Sequence, residues 1–293
     1  MSLNLIVLVK QVPDTQNISG EAMKEDGTVN RAALPAIFNP EDLCALEAAL
    51  QVKDANPDAR IHVLTMGPGQ AVQVLKESLF RGADCVALIS DRRFAGADTL
   101  ATSYALKCAI GKIGDYDMVF CGRQAIDGDT AQVGPQTAEK LGINQITNIS
   151  VLEQVDAKKK EVIARRSIEG GYEIIKAKFP ILLTFTDEHY VARPPSAIKM
   201  LAYKNATTEL TQADFTETYM KEAKGRGEVN QIFQWDIEAI KADPESCGLA
   251  GSPTKVKNIE SVVLVSGETK MIENTHEAIA GMVHELIADH TLG

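Results

Sequence analysis

Short apolar runs alternate with amphipathic stretches through the first half of the chain. Leu3 to Val9, Arg60 to Met66, Asp84 to Ile89 and Asp117 to Cys121 read as strands. Between the first two, Asn39 to Asn56 predicts a helix with Leu43, Leu46 and Leu50 on one face, Asn39 as its cap and Pro40 at the first helical position. The next helix carries Val72, Leu75 and Leu79. This is the pattern of βαβ units, which build a parallel sheet covered by helices. Right-handed crossovers put the helices on the sheet faces and leave loops at the carboxyl ends of the strands, the edge where such sheets bind ligands.

After Ile146 the pattern changes. Ile146 to Leu152, Glu161 to Arg166 and Tyr172 to Phe179 read as strands, with Gly170-Gly171 as a tight hairpin turn, and the hairpin feeds Ile181 to Thr186. Beyond Tyr203 the chain turns polar through Gly225, Arg226 and Gly227, as an arm that needs a partner surface. A last helix is predicted from Asn274, with Asn274 and Glu277 as a capping box and Ile279, Met282, Val283 and Leu286 as an apolar stripe. Packing within the chain and docking on another subunit account equally for that stripe.

Composition narrows the class. With 293 residues, 45% of them hydrophobic, the chain can bury a large core as one domain or two. A net charge of -10 argues against nucleic acid as a partner, because neutralising phosphates takes an excess of Lys and Arg. Leu3 to Val9 is too short to span a bilayer and no small-residue cleavage pattern follows it, so no membrane insertion is expected. The scattered cysteines Cys44, Cys85, Cys108, Cys121 and Cys247 lack metal or redox spacing and fit reduced thiols of a cytoplasmic protein. No His-Glu-x-x-His pair supports metal catalysis.

The most informative stretch is Gly122-Arg123-Gln124-Ala125-Ile126-Asp127-Gly128-Asp129-Thr130-Ala131-Gln132-Val133-Gly134-Pro135-Gln136, which follows a strand and runs into a helix. Gly122 and Gly128 permit close or positive-φ backbone, Asp129 or Thr130 can cap the helix, and free N–H groups at a helix start suit a pyrophosphate. It is neither a P-loop nor a Gly-x-Gly-x-x-Gly fingerprint, and an ordinary capped turn explains it equally well. A second candidate is Asn39, Pro40, Glu41 and Asp42, where capping alone explains most of the pattern. In a doubly wound sheet these two segments converge with Leu8 and Met66-Gly67 on one crevice, which suggests an adenine nucleotide. Asp127 and Asp129 suit ribose hydroxyls or plain turn and cap roles, and Arg123 a phosphate or solvent. Asp187-Glu188-His189 resembles an acid/base cluster only superficially.

Ala164 to Thr184, with Arg166, Glu169-Gly170-Gly171, Glu173, Ile175 and Pro180, resembles the signature of electron-transferring flavoprotein β (small) subunits. The run from Gly122, Asn39-Pro40, Val9-Lys10-Gln11 and Met66-Gly67-Pro68 are similar to that family too, so the resemblance covers about residues 1 to 204. It implies an α/β fold: a doubly wound, mainly parallel sheet of adenine-nucleotide-hydrolase-like (Rossmann-like) type, with a β-hairpin addition and a C-terminal partner-binding arm. The domains expected are 1–203, holding the nucleotide or FAD, and 204–293, an arm and helix contacting the α subunit. Carried over, the cofactor site uses Leu8, Asn39 to Asp42, Met66, and Gly122 to Val133.

Within the family that pocket holds AMP in respiratory-type members and FAD in members that bifurcate electrons. Val12-Pro13-Asp14-Thr15, Val29-Asn30-Arg31, Asn39-Pro40-x-Asp42 before Ala45-Leu46-Glu47-Ala48-Ala49, and Gly248 to Val256 resemble the bifurcating branch. The resemblance implies oxidation of NADH, with ferredoxin or flavodoxin and, through the α-subunit FAD, a partner flavin dehydrogenase as acceptors. That dehydrogenase acts on an acyl-CoA, an enoyl-CoA or a hydroxy acid such as lactate. The alternatives are an AMP-binding electron relay and a stand-alone nucleotide-binding regulator. Tyr190 to Ala197, with Arg193-Pro194-Pro195-Ser196, corresponds to a dehydrogenase-docking loop or to a rigid connector. Phe215 to Ile240 is longer than the family leads one to expect, and Phe233 and Trp235 suit an anchor against another chain.

Overall fold

The computed structural model describes residues 2–14, 34–208, 232–254 and 270–288. Thr15, Val29-Asn30-Arg31, the charged run Glu217 to Arg226, Gly227 and Val256 lie outside them.

The apolar runs are strands: β1 (Asn4–Leu8), β4 (Arg60–Met66), β5 (Cys85–Ile89), β6 (Met118–Gly122) and β10 (Ile181–Phe185). With β7 (Asn144–Asp156), β8 (Glu161–Ile168), β9 (Gly171–Lys178) and β11 (Phe233–Trp235) they form a nine-stranded sheet in the order β11-β5-β4-β1-β6-β10-β7-β8-β9. From β11 to β7 every pairing is parallel, and β8 and β9 run antiparallel. A separate antiparallel pair, β2 (Gln11–Pro13) with β3 (Ala36–Phe38), stands beside the end of β1.

The near-continuous apolar character of the central strands follows from burial on both faces. Leu5 and Val7 pack under α1 (Pro40–Ala55) and α2 (Val72–Arg81), with Leu46, Leu50, Leu75, Phe120 and Phe185. Ile6 and Leu8 point the other way, among Leu64, Val119, Leu182, Leu106 and Ile110 under α3 (Thr99–Ile113) and α4 (Val133–Leu141). On the first face Phe120 stacks on Phe185 at 5.6 Å, and Tyr190 meets Phe185 edge-on at 5.7 Å. The doubly wound, mainly parallel fold is thus as expected.

Several expectations are corrected. The hairpin turn is Glu169-Gly170, since Gly171 already pairs with Ile168; Gly170 takes the positive φ of 76° that the turn requires. Phe233 and Trp235 belong to the sheet, although Phe233 remains 52% exposed. They form edge strand β11 on β5, with Ser90 N donating to Trp235 O at 2.9 Å and Lys112 Nζ 5.5 Å from the indole centroid. The helix α3 is absent from the sequence reading because its buried face is largely Ala101, Ala105 and Ala109, which give a weak periodic signal.

After the short helix α5 (Ala197–Tyr203), the last helix, α6 (His276–Ala288), is capped by Thr275 rather than Asn274: Ala278 N donates to Thr275 Oγ1 at 3.3 Å. Its apolar stripe finds no cover within the described residues, as none of the helix is buried. Among the described residues no helix is long and apolar enough to cross a membrane.

The connector from Tyr190 to Ser196 is fastened to the body. Tyr190 Oη accepts from Leu152 N at 2.9 Å, and Arg193 Nε and Nη2 donate to Glu47 at 2.9 and 3.0 Å. Arg193 also reaches Asp54 at 2.7 Å. Burial alone would raise the Glu47 carboxyl, but Arg193 outweighs it and holds the group below its ordinary range. Arg193→Ala is expected to cost roughly 2–3 kcal/mol, less than breaking a fully buried ion pair because Arg193 keeps some solvent contact. Urea unfolding of Arg193→Ala and Arg193→Lys checks this; lysine recovers only part, lacking the fork that spans both carboxylates.

Candidate functional site

Leu8, Met66 and Gly122 are the last residues of β1, β4 and β6, which are neighbours in the sheet, so their carboxyl ends open onto one edge. The chain leaves β1 towards β4 and β5 and then returns to the opposite side of β1 as β6, a topological switch point. Beside it a cleft of about 420 Å³ is lined by Met66, Gly67, Pro68, Ser90, Asp91, Arg92, Phe94 and Ala95.

The start of α1 does not behave as a capped helix end. Asn39 makes no side-chain cap; its Nδ2 donates to Gln124 O at 2.9 Å and its Oδ1 accepts from Ile126 N at 3.2 Å. Pro40 opens the helix, and the two acids that follow turn onto the same loop. Glu41 accepts from Gln124 N and from Arg123 Nη2, both at 2.8 Å. Asp42 accepts from Gly122 N at 2.8 Å and from Lys10 N at 2.9 Å. Lys10 Nζ closes the bracing with a 2.7 Å ion pair to Asp127. Burial raises the Glu41 carboxyl against the pull of Gln124 N–H and Arg123, and pushes Asp42 up to about 7 against its backbone donors.

These contacts commit Arg123 to Glu41 and Asp127 to Lys10, while Asp129 Oδ1 accepts from Gln124 Nε2 at 3.0 Å. Ala125 O turns the loop by accepting from Gly128 N and Asp129 N at 3.2 and 2.9 Å. Gly122 serves close approach: an added Cβ would lie 2.6 Å from Asp42 Oδ1 and 2.8 Å from Glu41 C. Gly128 needs neither close approach nor positive φ. The left-handed backbone falls instead on Asp129 and Ala131, at φ 48° and 51°. Non-glycine residues held there are costly and mark loops whose conformation the surroundings impose.

The helix after the loop is not capped by Asp129 or Thr130. Its N-cap is Gln132, at φ -104° and ψ -29°, with no side-chain cap bond. A left-handed Ala131 before a right-handed Gln132 is the alternation that turns successive N–H groups to one side as an anion-binding nest, continued by the first turn of α4. Thr130, Gln132 and Gly128 are exposed, and Val133 is half-buried. Thr99, which holds Gln132 from α3, is not legible in the sequence, since no spacing links it to the loop; Lys10 stands in a family-like segment without a role there, and its pairing with Asp127 comes from the fold alone.

Other candidates are structural. Glu188 accepts from Ser167 Oγ at 2.7 Å and His189 lies edge-on to Tyr190, so Asp187-Glu188-His189 forms no acid/base pair. Burial pushes the Cys44 and Cys247 thiols up to about 11 and raises Cys121 as well, which keeps them protonated and unreactive. Among the described residues no group of three or more His, Cys, Asp or Glu is arranged to hold a metal ion.

Fold and edge together define an α/β protein of the doubly wound class with a braced loop at its switch point. Residues 26–215 match the electron transfer flavoprotein domain. The chain is 41% identical over 289 residues to an electron transfer flavoprotein subunit beta of Clostridium acetobutylicum, covering 98% of this chain and 99% of that one. It is 38% identical to the caffeyl-CoA reductase-Etf complex subunit CarD of Acetobacterium woodii, covering 99% of this chain and 100% of the relative. The acryloyl-CoA reductase electron transfer subunit gamma of Anaerotignum propionicum is likewise 38% identical, over 99% and 100% of the two chains. This chain belongs to the electron transfer flavoprotein β-subunit family.

Proposed function

We propose that the chain binds FAD at the edge formed by Leu8, Asn39 to Asp42, Met66 and Gly122 to Val133, and accepts hydride there from NADH. In this reading one electron goes to ferredoxin or flavodoxin. The other passes through the α-subunit FAD to a partner flavin dehydrogenase acting on an acyl-CoA, an enoyl-CoA or a hydroxy acid such as lactate. The single observation that carries the nucleotide part is the braced loop ending in the Ala131–Gln132 alternation and an uncapped α4. The donor set fits a pyrophosphate, because Glu41, Asp42 and Asp127 already face Arg123, Lys10 and backbone N–H groups and Asp129 accepts from the Gln124 side chain. The relatives named for caffeyl-CoA and acryloyl-CoA reductase systems support the bifurcating branch.

When bound, a flavin itself supplies the exchange between two-electron and one-electron steps. The chain's residues position it. Asn39, Glu41 and Asp42 set the loop height on α1, the Ala131–Val133 backbone offers phosphate donors, and Met66 with the cleft beside β4 offers an apolar wall. Residues 1–203 are proposed to form this nucleotide domain, and 204–293 the part that contacts the α subunit, with the bare apolar face of α6 as one support.

A second reading keeps the same pocket for AMP, with one FAD at the contact with the α subunit and no NADH chemistry; the family name alone favours neither. The test is to purify the chain with its α subunit, denature the complex and count released nucleotides. Two FAD and no AMP per heterodimer are expected. One FAD with one AMP would overturn the bifurcating reading and leave an electron relay.

A further inference from the structure

The first turn of α4 is open for a reason that lies on a neighbouring helix. Thr99, the first residue of α3, donates its hydroxyl to Gln132 Oε1 at 2.8 Å and accepts from Gln136 Nε2 at 3.3 Å. Gln132 is the α4 N-cap, where a side-chain carbonyl free to turn inward would accept from the first-turn amides of its own helix. Tied to Thr99, it makes no such bond. Val133 and Gly134 therefore keep uncapped N–H groups, and Pro135 has none to offer.

Thr99 is itself held in place. Asp98 Oδ1 accepts from Leu100 N and Ala101 N at 2.9 and 3.0 Å, which fixes the start of α3. From the other side, Asp98 N donates to Ser252 Oγ at 2.8 Å and Asp98 Oδ2 accepts from Thr254 N at 3.0 Å. The C-terminal segment thus pins the helix end that carries Thr99, and the hydroxyl meets Gln132 without needing to search for it.

We propose that Thr99 is a positioning residue for the cofactor: by holding the Gln132 carbonyl away from α4, it keeps the first-turn amides available to a phosphate of the bound nucleotide. This rests on the reading of Gly122 to Val133 as the nucleotide loop. A Gln132 carbonyl folded back onto α4 would compete with the phosphate for the same donors and lower its occupancy.

The experiment uses the complex with the α subunit, and follows both the rate at which FAD or AMP leaves it and amide exchange over residues 130–136. Thr99→Val keeps the shape and removes the hydroxyl; it is expected to speed nucleotide loss about fivefold to tenfold, whereas Thr99→Ser stays near wild type. In a Gln132→Ala background, Thr99→Val should add less than about twofold, since no carbonyl remains to fold back. An equal penalty in both backgrounds would overturn the proposal by making Thr99 a merely structural residue, as would no penalty in either. In the wild type, nucleotide should slow exchange at residues 130–136. If it does not, the loop is not the nucleotide site and the inference falls with that reading; slowed exchange with an indifferent Thr99→Val variant overturns the inference alone.

Discussion

Gly122→Ala is expected to destabilise the protein by roughly 3 kcal/mol or more and to strip it of nucleotide, because the added methyl has no direction in which to relax. Its nearest neighbours would be Asp42 Oδ1 at 2.6 Å, Asp42 N at 2.8 Å and Glu41 C at 2.8 Å, and two of those are backbone atoms of α1. Gly122 ends a central strand whose N–H also donates to Asp42, so strand and helix would have to separate and that bond would lengthen. Gly128→Ala is the control in the same loop, with nothing within 4 Å of its added Cβ and no positive φ to strain. Urea unfolding of both variants, with nucleotide counted after purification, checks the result. A Gly122→Ala protein as stable as Gly128→Ala would mean that the close packing of α1 on β6 does not set the height of the loop.

Asp42→Ala is expected to cost about 3 kcal/mol near pH 5, since it leaves the N–H groups of Gly122 and Lys10 without their acceptor. The cost is expected to depend on pH in a defined direction. Burial raises the Asp42 carboxyl from 3.8 to about 7, so between those values the folded chain holds a proton that the unfolded chain has released. Stability contributed by that proton is present below about pH 4 and is lost as pH rises through 7, by roughly 1.4 kcal/mol per unit in between. Wild type should therefore lose part of its advantage over Asp42→Ala between pH 5 and pH 8. Unfolding curves at pH 5, 6, 7 and 8 provide the comparison. A gap that stays constant or widens with pH would mean that the backbone donors keep Asp42 ionised throughout.

Both predictions concern a place where the local capping pattern and the tertiary contacts diverge. The pattern of Asn39, Pro40, Glu41 and Asp42 predicts a helix start, and they do sit there. Their side chains, though, serve the loop after β6 rather than their own helix. The difference is physical: a capping pattern is local, but these groups are buried against a second loop whose N–H groups need acceptors, and burying a donor unpaired costs more than a missing cap. The same competition moved the left-handed residues from Gly128 to Asp129 and Ala131, and the α4 cap from Asp129 or Thr130 to Gln132.

What the sequence by itself determined is the set of central strands, the helices α1 and α2 that cover one face, the hairpin, and the convergence of Leu8, Met66 and Gly122 on one edge. These are legible because burial on both sheet faces or on one helix stripe writes itself into neighbouring residues as a run or a period. The tertiary structure alone decided which groups meet at that edge. Asp42 and Gly122 are 80 residues apart, Glu41 and Gln124 are 83, and Lys10 and Asp127 are 117. It also recruited Phe233 to Trp235 as an edge strand and set Thr99 against Gln132. Such pairings depend on where the crossovers bring distant loops together, and no local period records that.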